Sequence, residues 1–259
     1  ASLAMDFSFL HNDLGYLLWG TFPEGPPGGA LLTLILAGSG AILSAVLGLA
    51  FGIALVMWRG PALVVLRTVL GFLRAIPVLM LIFWAYFLLP VLFGLALPGG
   101  VSVVAALALV SGAYLGHAVA AGIEAVGPGQ WNAALALGFT RWGALRHVVL
   151  PQALSMMLPS FMNQWVTLVK DSSLAYIVGV TELSFVASQV TARTMIDPAE
   201  IFLLVGLIYW LLCAGLEAAV RGLQHSLLAP RPARDVMPLH NRVIRLFSFR
   251  SSTQKEFQP

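Results

Sequence analysis

The chain has 259 residues, of which 59% are hydrophobic and only 10% are charged, with a formal net charge of +3. Soluble domains carry roughly 45–50% apolar and about 25% charged residues, so this composition excludes an ordinary soluble protein. Blocks 25–58, 75–116 and 148–169 contain no Asp, Glu, Lys or Arg. Because a spanning helix needs about 20 apolar residues, the chain is expected to be an all-α membrane protein.

In chain order, apolar residues at helical spacing over 7–19 first predict an amphipathic helix lying at the outer membrane surface. Five transmembrane helices are then predicted, at about 29–57, 70–95, 101–122, 154–179 and 200–222. This pattern divides the chain into an extracytoplasmic segment 1–28, a transmembrane domain 29–228 with a cytoplasmic loop 123–153, and a basic cytoplasmic tail 229–259.

The basic residues give the orientation. No Lys or Arg precedes Arg59, whereas the segment from Arg221 onward is rich in arginine. The positive-inside rule therefore predicts an N-terminus outside and a C-terminus in the cytoplasm. Since these cations collect on one membrane face, they require no nucleic acid partner.

The first predicted span has small residues at every fourth position, at Gly40, Ser44, Gly48 and Gly52. Such a ridge allows the backbone of a neighbouring helix to approach closely. The neighbour is either another span of this chain or a second subunit, and the pattern is compatible with both.

The fourth predicted span contains Ser160, Gln164, Thr167 and Asp171 along one helical face, with Lys170 beside them. Lipid cannot satisfy such a polar stripe, so it must face protein or a water-filled cavity. Ionisable residues at membrane depth are rare and are functional candidates by default. We interpret these five residues as the lining of a route for a polar solute; the alternative is a buried charge satisfied by a neighbouring helix.

The cytoplasmic loop predicts two short helices. Gly127-Pro128-Gly129 breaks the chain, 130–137 favours a short amphipathic helix, and Gly138 ends it through a positive φ. A second helical stretch is expected to run to Pro151. The first helix is interpreted as a docking surface for a cytoplasmic partner, with an interfacial helix that has no partner as the alternative.

Ala133-Ala134, Gly138, Val148, Leu150 and Pro151 match the spacing of the "EAA" loop signature of ABC importer permeases. Arg74-Ala75-Ile76-Pro77, Ser111–Leu115 and Lys170–Leu183 resemble further motifs of the polar amino acid branch of that family. The chain is similar to the family over about residues 7–228. The resemblance implies the ABC type I importer permease fold and assigns coupling to an ATPase to Asn132, Ala133, Ala134, Gly138, Arg141, Leu150 and Pro151.

The resemblance also implies partners: a second permease subunit, identical or related, two ABC ATPase subunits, and an extracytoplasmic amino-acid-binding protein. It places the chain in the bacterial inner membrane as a multi-pass protein, in contact with lipid. The only lysines, Lys170 and Lys255, lie outside any Gly-rich phosphate loop. The chain is therefore expected to be no enzyme and to hold no cofactor, with ATP and Mg on the partner ATPase.

Three positions depart from the family pattern. Asn132 stands where the signature has Glu, so an ion pair from this position to the ATPase is missing. His117 replaces a glutamate that is common in the family, and is interpreted as a hydrogen-bonded helix contact. Gln164 stands where relatives that handle basic amino acids resemble Asn-Glu-Phe, which removes a carboxylate from the site and favours neutral or acidic amino acids, or a broad range.

Other function classes are less consistent with the sequence. An ion-coupled secondary transporter or channel would need no docking loop, and its fold usually shows paired repeats of broken helices. A membrane-embedded enzyme needs a nucleophile–base pair or a metal cluster, and the chain has one cysteine and scattered histidines. The pathway subunits of ABC exporters lack an EAA-type loop.

Overall fold

The computed structural model describes residues 8–194 and 198–228, and the side chains of 13–193 and 198–222. The chain divides into two compact units, Ala1–Gly222 and Leu223–Pro259. Nearly all of the second unit, including the predicted basic tail 229–259, lies outside the described residues. Every contact given below belongs to the first unit.

The regular structure of the described residues is helical. In chain order the α-helices are α1 Ser8–Trp19, α2 Gly29–Met57, α3 Pro61–Ala75, α4 Val78–Phe83, α5 Leu89–Phe93, α6 Gly99–Ala125, α7 Pro128–Ala136, α8 Arg141–Ala144, α9 Leu150–Asp171, α10 Leu183–Thr194 and α11 Pro198–Leu228. Two π-helical turns, Trp84–Leu88 and Leu145–Val149, join α4 to α5 and α8 to α9, and a 3₁₀ segment, Ser172–Val178, follows α9.

Helix α6 lies at the centre of the bundle. In its most apolar 18-residue window 61% of the residues are buried, compared with 28% in α2 and 17% in α11. Its side chains join three apolar clusters, which α2, α4 and α9 complete with Leu36, Ile82, Leu168 and others. A helix that is apolar on all sides is stable in this position because protein surrounds it.

Glycines set the distance between α2 and α6. A Cβ atom on Gly48 would lie 2.5 Å from the Cβ of Leu115, and one on Gly52 would lie 2.3 Å from the Cβ of Val119. Gly112 on α6 meets α2 in the same way, since its Cβ would lie 2.9 Å from that of Leu47. The ridge of small residues on α2 therefore packs within this chain, and the alternative of a subunit interface is not needed to explain it.

Helices α2 and α6, and the Pro198–Gly222 part of α11, are long and apolar enough to cross a membrane. They agree with the predicted spans 29–57, 101–122 and 200–222. The prediction of one continuous helix over 70–95 is wrong. The helix pair Pro61–Ala75 and Val78–Phe93 is bent by 103°, because Ile76 precedes Pro77 and takes extended angles (φ −82°, ψ 136°) that end α3.

The prediction over 154–179 also needs correction at both ends. Pro151 does not end the preceding helix; α8, the π-turn and α9 continue through it. Pro151 lacks an amide hydrogen, and just before it the Leu150 amide donates to Leu145 in the wider π register. At the other end α9 stops at Asp171, and the chain tightens into the 3₁₀ segment before Gly179 (φ +76°).

Helix α10 lies between the predicted fourth and fifth spans, in a segment for which no helix was predicted. It packs against α1 and the start of α11 through Leu17, Leu183, Val190 and Ile201. The Arg193 guanidinium also donates to Asp13 at 2.6 Å. Helix α1 occupies most of the stretch where an amphipathic helix was expected, and Leu17, which is fully buried, shows that its apolar face meets protein.

Candidate functional site

A cavity of about 430 Å³ lies where the turn between α3 and α4 meets α6 and α9. The bend at Pro77 carries Arg74 to its wall, so the break in the helix is part of the site. The cavity is lined by Arg74, Ala75, Ile76, Pro77, Val78, Val110, Tyr114, Gln164, Thr167 and Asp171.

The structure brings three of the five predicted polar residues to this cavity. Gln164, Thr167 and Asp171 are three and four residues apart on α9, so their side chains share one face. Ser160 and Lys170 are exposed and do not line the cavity. The predicted stripe is therefore divided. Adjacent helical residues differ by about 100° in direction, so Lys170 and Asp171 lie on different faces of α9.

The polar groups in the cavity keep unused hydrogen-bonding capacity. Gln164 donates through Nε2 to the Ser111 Oγ at 3.1 Å, and no described donor contacts its carbonyl oxygen. The Thr167 hydroxyl donates to the Asn163 carbonyl at 3.1 Å, which leaves its lone pairs as acceptors. Asp171 is half-buried, and no cation of the described residues lies within ion-pair distance of its carboxylate.

Arg74 is the cationic group of the cavity. Its guanidinium carbon lies 5.0 Å from the centroid of the Tyr114 ring, within the range of a cation–π contact. The Tyr114 hydroxyl donates to the Arg74 carbonyl oxygen at 3.2 Å. These two contacts fix the arginine beside the cavity without neutralising its charge.

Arg74, Ser111 and Tyr114 were not predicted as site residues. A signal for them existed, because all three lie in stretches that carry the family resemblance, 74–77 and 111–115. The sequence does not show that these stretches lie close to α9 in space, because 50 or more residues separate Ser111 and Tyr114 from Gln164 and Asp171. Periodicity relates residues of one helix only.

The chemistry of this cavity is that of binding. One guanidinium, one carboxylate, an amide oxygen and a hydroxyl surround a space bounded by Ile76, Val78 and Val110. Within the described part of the chain no group of three His, Cys, Asp or Glu side chains could hold a metal ion. The arrangement can hold a small solute with both an anionic and a cationic group.

The predicted docking loop forms a separate surface. Helix α7 runs over Pro128–Ala136, and Gly138 (φ +86°) follows it. Asn132 and Ala133 are exposed, whereas Ala134 is buried at 2% exposure and anchors the helix. The Arg141 guanidinium lies 5.8 Å from the Trp131 ring centroid, and Leu150 and Pro151 form the first turn of α9.

Large apolar side chains project from the turn between α7 and α8. Leu137 is 80% exposed, and Leu135, Phe139 and Trp142 are also exposed. We treat this group of exposed side chains as a candidate contact surface for a partner. It lies at the bend where Thr140 caps α8 by accepting a hydrogen bond from the Gly143 amide at 3.1 Å.

Glu182 is a buried acidic residue that was not predicted as a site residue from the sequence. Its carboxylate is fully buried and accepts hydrogen bonds from the Ser184 and Phe185 amides, each at 3.0 Å, at the start of α10. The Tyr209 hydroxyl on α11 also donates to it, at 2.7 Å. Burial raises the pKa of Glu182, and the donated hydrogen bonds oppose that rise. Its contacts tie α10 to α11, so its geometry is that of a structural junction.

A bundle of long apolar helices around a polar cavity is the architecture expected of a membrane transport subunit. The chain belongs to the family of binding-protein-dependent transport system inner membrane components, whose model matches residues 44–228. The motifs in the loop and around the cavity therefore lie inside the matched region. The predicted membership of the ABC importer permeases is confirmed.

The relatives include the probable glutamine ABC transporter permease protein GlnM of Bacillus subtilis (strain 168), which is 35% identical over 66% of this chain and 75% of its own length. The glutamine transport system permease protein GlnP of Escherichia coli (strain K12) is 30% identical over 77% of this chain and 91% of its own. A solved structure titled as an amino acid ABC transporter with histidines matches with a TM-score of 0.68 and 27% identity, covering 75% of this chain and 90% of that one.

Proposed function

We propose that the chain is the transmembrane subunit of an ABC importer that moves amino acids across the bacterial inner membrane into the cytoplasm. The observation that carries this proposal is the cavity at the α3–α4 bend, which presents Arg74 and Asp171 to one small space. A free α-amino acid carries one carboxylate and one ammonium group. The cavity offers a partner to each, and relatives named as glutamine and glutamate/aspartate permeases support this cargo.

The side chain of the cargo is proposed to meet Gln164 and Thr167. A neutral amide accepts or donates one ordinary hydrogen bond, whereas a carboxylate there would make a stronger, charge-assisted contact with a cationic side chain. Neutral or acidic amino acids, or a broad range of them, are therefore the proposed cargo. A best substrate of lysine or arginine would contradict this assignment.

Five crossings are proposed: α2, the bent segment from α3 through α5, α6, α9 with its 3₁₀ extension, and α11. With an odd number of crossings and arginine-rich sequence after α11, the N-terminus lies outside and the C-terminus in the cytoplasm. Helices α7 and α8 then face the cytoplasm, and α1 and α10 lie at the outer end. The division into an outer segment 1–28, a permease domain 29–228 and a basic tail 229–259 follows from this orientation.

Transport is proposed to be driven by two ATPase subunits that bind ATP and Mg and dock on α7. The apolar side chains around Leu137 supply the contact, and Asn132, Ala133, Gly138 and Arg141 shape the docking surface. A second permease subunit, identical or related, completes the pathway, and an extracytoplasmic binding protein delivers the amino acid to the outer end. Alternating access then exposes the cavity to each side in turn.

The test is uptake of a panel of radiolabelled amino acids into proteoliposomes that contain this chain with its ATPase, the binding protein outside and ATP inside. The Asp171→Asn and Arg74→Gln variants should each lower apparent affinity at least ten-fold, because each loses a charge-assisted hydrogen bond of about 1.5–3 kcal/mol. Lys170→Gln is the matched control, since it alters a neighbouring charge outside the cavity and should leave affinity unchanged. Uptake that persists without ATP would support an ion-coupled transporter instead.

A further inference from the structure

A second and larger cavity, of about 670 Å³, lies between the turn joining α2 to α3, the end of α6, and α7. We propose that it is a binding site for the phosphate headgroup of an anionic phospholipid, held against the docking helix. The proposal rests on the orientation given above, which places α7 on the cytoplasmic side. It concerns a ligand other than the transported solute.

Charge is the first reason. Arg59, Arg67 and Arg141 come from three separate elements and line the same cavity, where Glu124 is the only carboxylate among the lining residues. The formal charge of the lining is therefore +2. Among the described residues, no carboxylate lies within ion-pair distance of any of the three guanidinium groups. The positive-inside rule predicts cations on the cytoplasmic face, but it does not predict that three arginines line one cavity. Basic pockets between helices at the cytoplasmic side suit anionic headgroups.

The apolar part of the cavity is the second reason. Trp58 and Trp131 stand beside the arginines, and tryptophan is enriched where the hydrocarbon meets the headgroups. Leu55, Leu63 and Ile123 add apolar wall to the same cavity. A free phosphate ion would use only the arginines, whereas a phospholipid also covers the apolar wall.

Helix α3 supplies a route for the acyl chains. It contributes Arg67 to the cavity, and Val64, Val65 and Phe72 on the same helix are more than half exposed. A helix that carries a cation among exposed apolar side chains matches the amphipathic form of a phospholipid. In the proposed orientation the acyl chains would lie along this helix.

A lipid bound in this cavity would contact helix α7, on which the ATPase is proposed to dock. Asn132 and Trp131 on the docking helix α7 line the cavity together with Arg59 and Arg67. A bound headgroup would bridge α7 to the α2–α3 turn through its phosphate oxygens. The bound lipid would then hold helix α7 in place for the ATPase. This chain has Asn132 where the family signature has Glu, so it lacks an ion pair to the ATPase at that position.

The experiment is native mass spectrometry of the assembled transporter in mixed micelles of phosphatidylglycerol and phosphatidylcholine. We expect one phosphatidylglycerol retained per copy of this chain, in preference to phosphatidylcholine. The Arg59→Gln and Arg67→Gln variants should each weaken retention roughly five-fold, the effect of one basic side chain at a membrane surface. Arg59→Lys should keep most of it. Arg221→Gln is the control, because Arg221 is an exposed arginine that already faces Glu217 at 3.7 Å.

Four outcomes would overturn the proposal: no preference for phosphatidylglycerol, equal retention by Arg59→Gln and Arg221→Gln, displacement of the lipid by millimolar inorganic phosphate, or retention only after the ATPase has been removed. Displacement by phosphate would assign the cavity to a free anion. Retention only without the ATPase would assign it to acidic side chains of that subunit. Because lipid retention needs no transport, these results are independent of the amino acid uptake assay, and thermal unfolding of each variant shows that it is folded.

Discussion

Replacement of Gly52 by alanine tests the packing of α2 against α6. The new Cβ would lie 2.3 Å from both Cβ and Cγ1 of Val119 and 2.8 Å from the Gly116 carbonyl oxygen. Carbon atoms in contact are normally about 3.5–4.0 Å apart, so the two helices must separate by more than 1 Å at this point. Val119 cannot rotate away, since it is fully buried and its β-branched side chain has one strongly preferred rotamer in a helix.

The expected cost is about 1–3 kcal/mol of unfolding free energy, the usual range for overpacking a close-packed interior. Gly38→Ala is the matched control on the same helix, because a Cβ there has no atom within 4 Å. That change should be neutral or stabilising, by up to about 1 kcal/mol, because alanine is the better helix former. The assay is thermal or denaturant unfolding of the purified transporter in detergent.

A double-mutant cycle makes the test specific. Val119→Gly alone removes a buried side chain and should destabilise the chain, but combined with Gly52→Ala it removes both 2.3 Å contacts, so the two costs should not add. Equal stability of Gly52→Ala and Gly38→Ala, or strict additivity with Val119→Gly, would refute the packing described here. Either result would mean that α2 and α6 are not in contact along this ridge.

Three further predictions concern other parts of the chain. Because burial raises the pKa of Glu182, the folded chain binds the carboxyl proton of Glu182 more tightly than the unfolded chain does. The stabilisation that the protonated Glu182 gives the folded chain is complete below the pKa of the unfolded carboxyl group, about 4.3, and is lost as the pH rises through the pKa of the folded chain. Glu182→Gln should therefore flatten the dependence of the melting temperature on pH. Tyr209→Phe removes the 2.7 Å hydrogen bond to that carboxylate and should lower the unfolding free energy by about 1.5–3 kcal/mol; a value near zero would contradict the role of Glu182 as a junction. Leu137→Asp should reduce co-purification of the ATPase ten-fold or more without changing the melting temperature, since a side chain that is 80% exposed loses only its contact with the partner. Unchanged co-purification would show that the ATPase docks on another surface.

The class of the molecule and most of its local structure could be predicted from the sequence. Uncharged blocks located α2 and α6, because lipid tolerates only long apolar helices whose backbone hydrogen bonds are satisfied internally. Spacing on α9 placed Gln164, Thr167 and Asp171 on one face, and Gly138 ended α7 as expected. These features depend on neighbours in the chain, and periodicity and turn chemistry report them directly.

Which of these local features contact one another depends on the packing of the helices. This packing divided the predicted polar stripe, bent the second span at Pro77, and brought Arg74 to the cavity that Asp171 also lines. It buried Glu182 at the start of α10, a helix that was not predicted from the sequence. The physical reason is that such contacts join residues far apart in sequence, and packing between helices selects them through shape and hydrogen bonding, for which a single sequence contains no period.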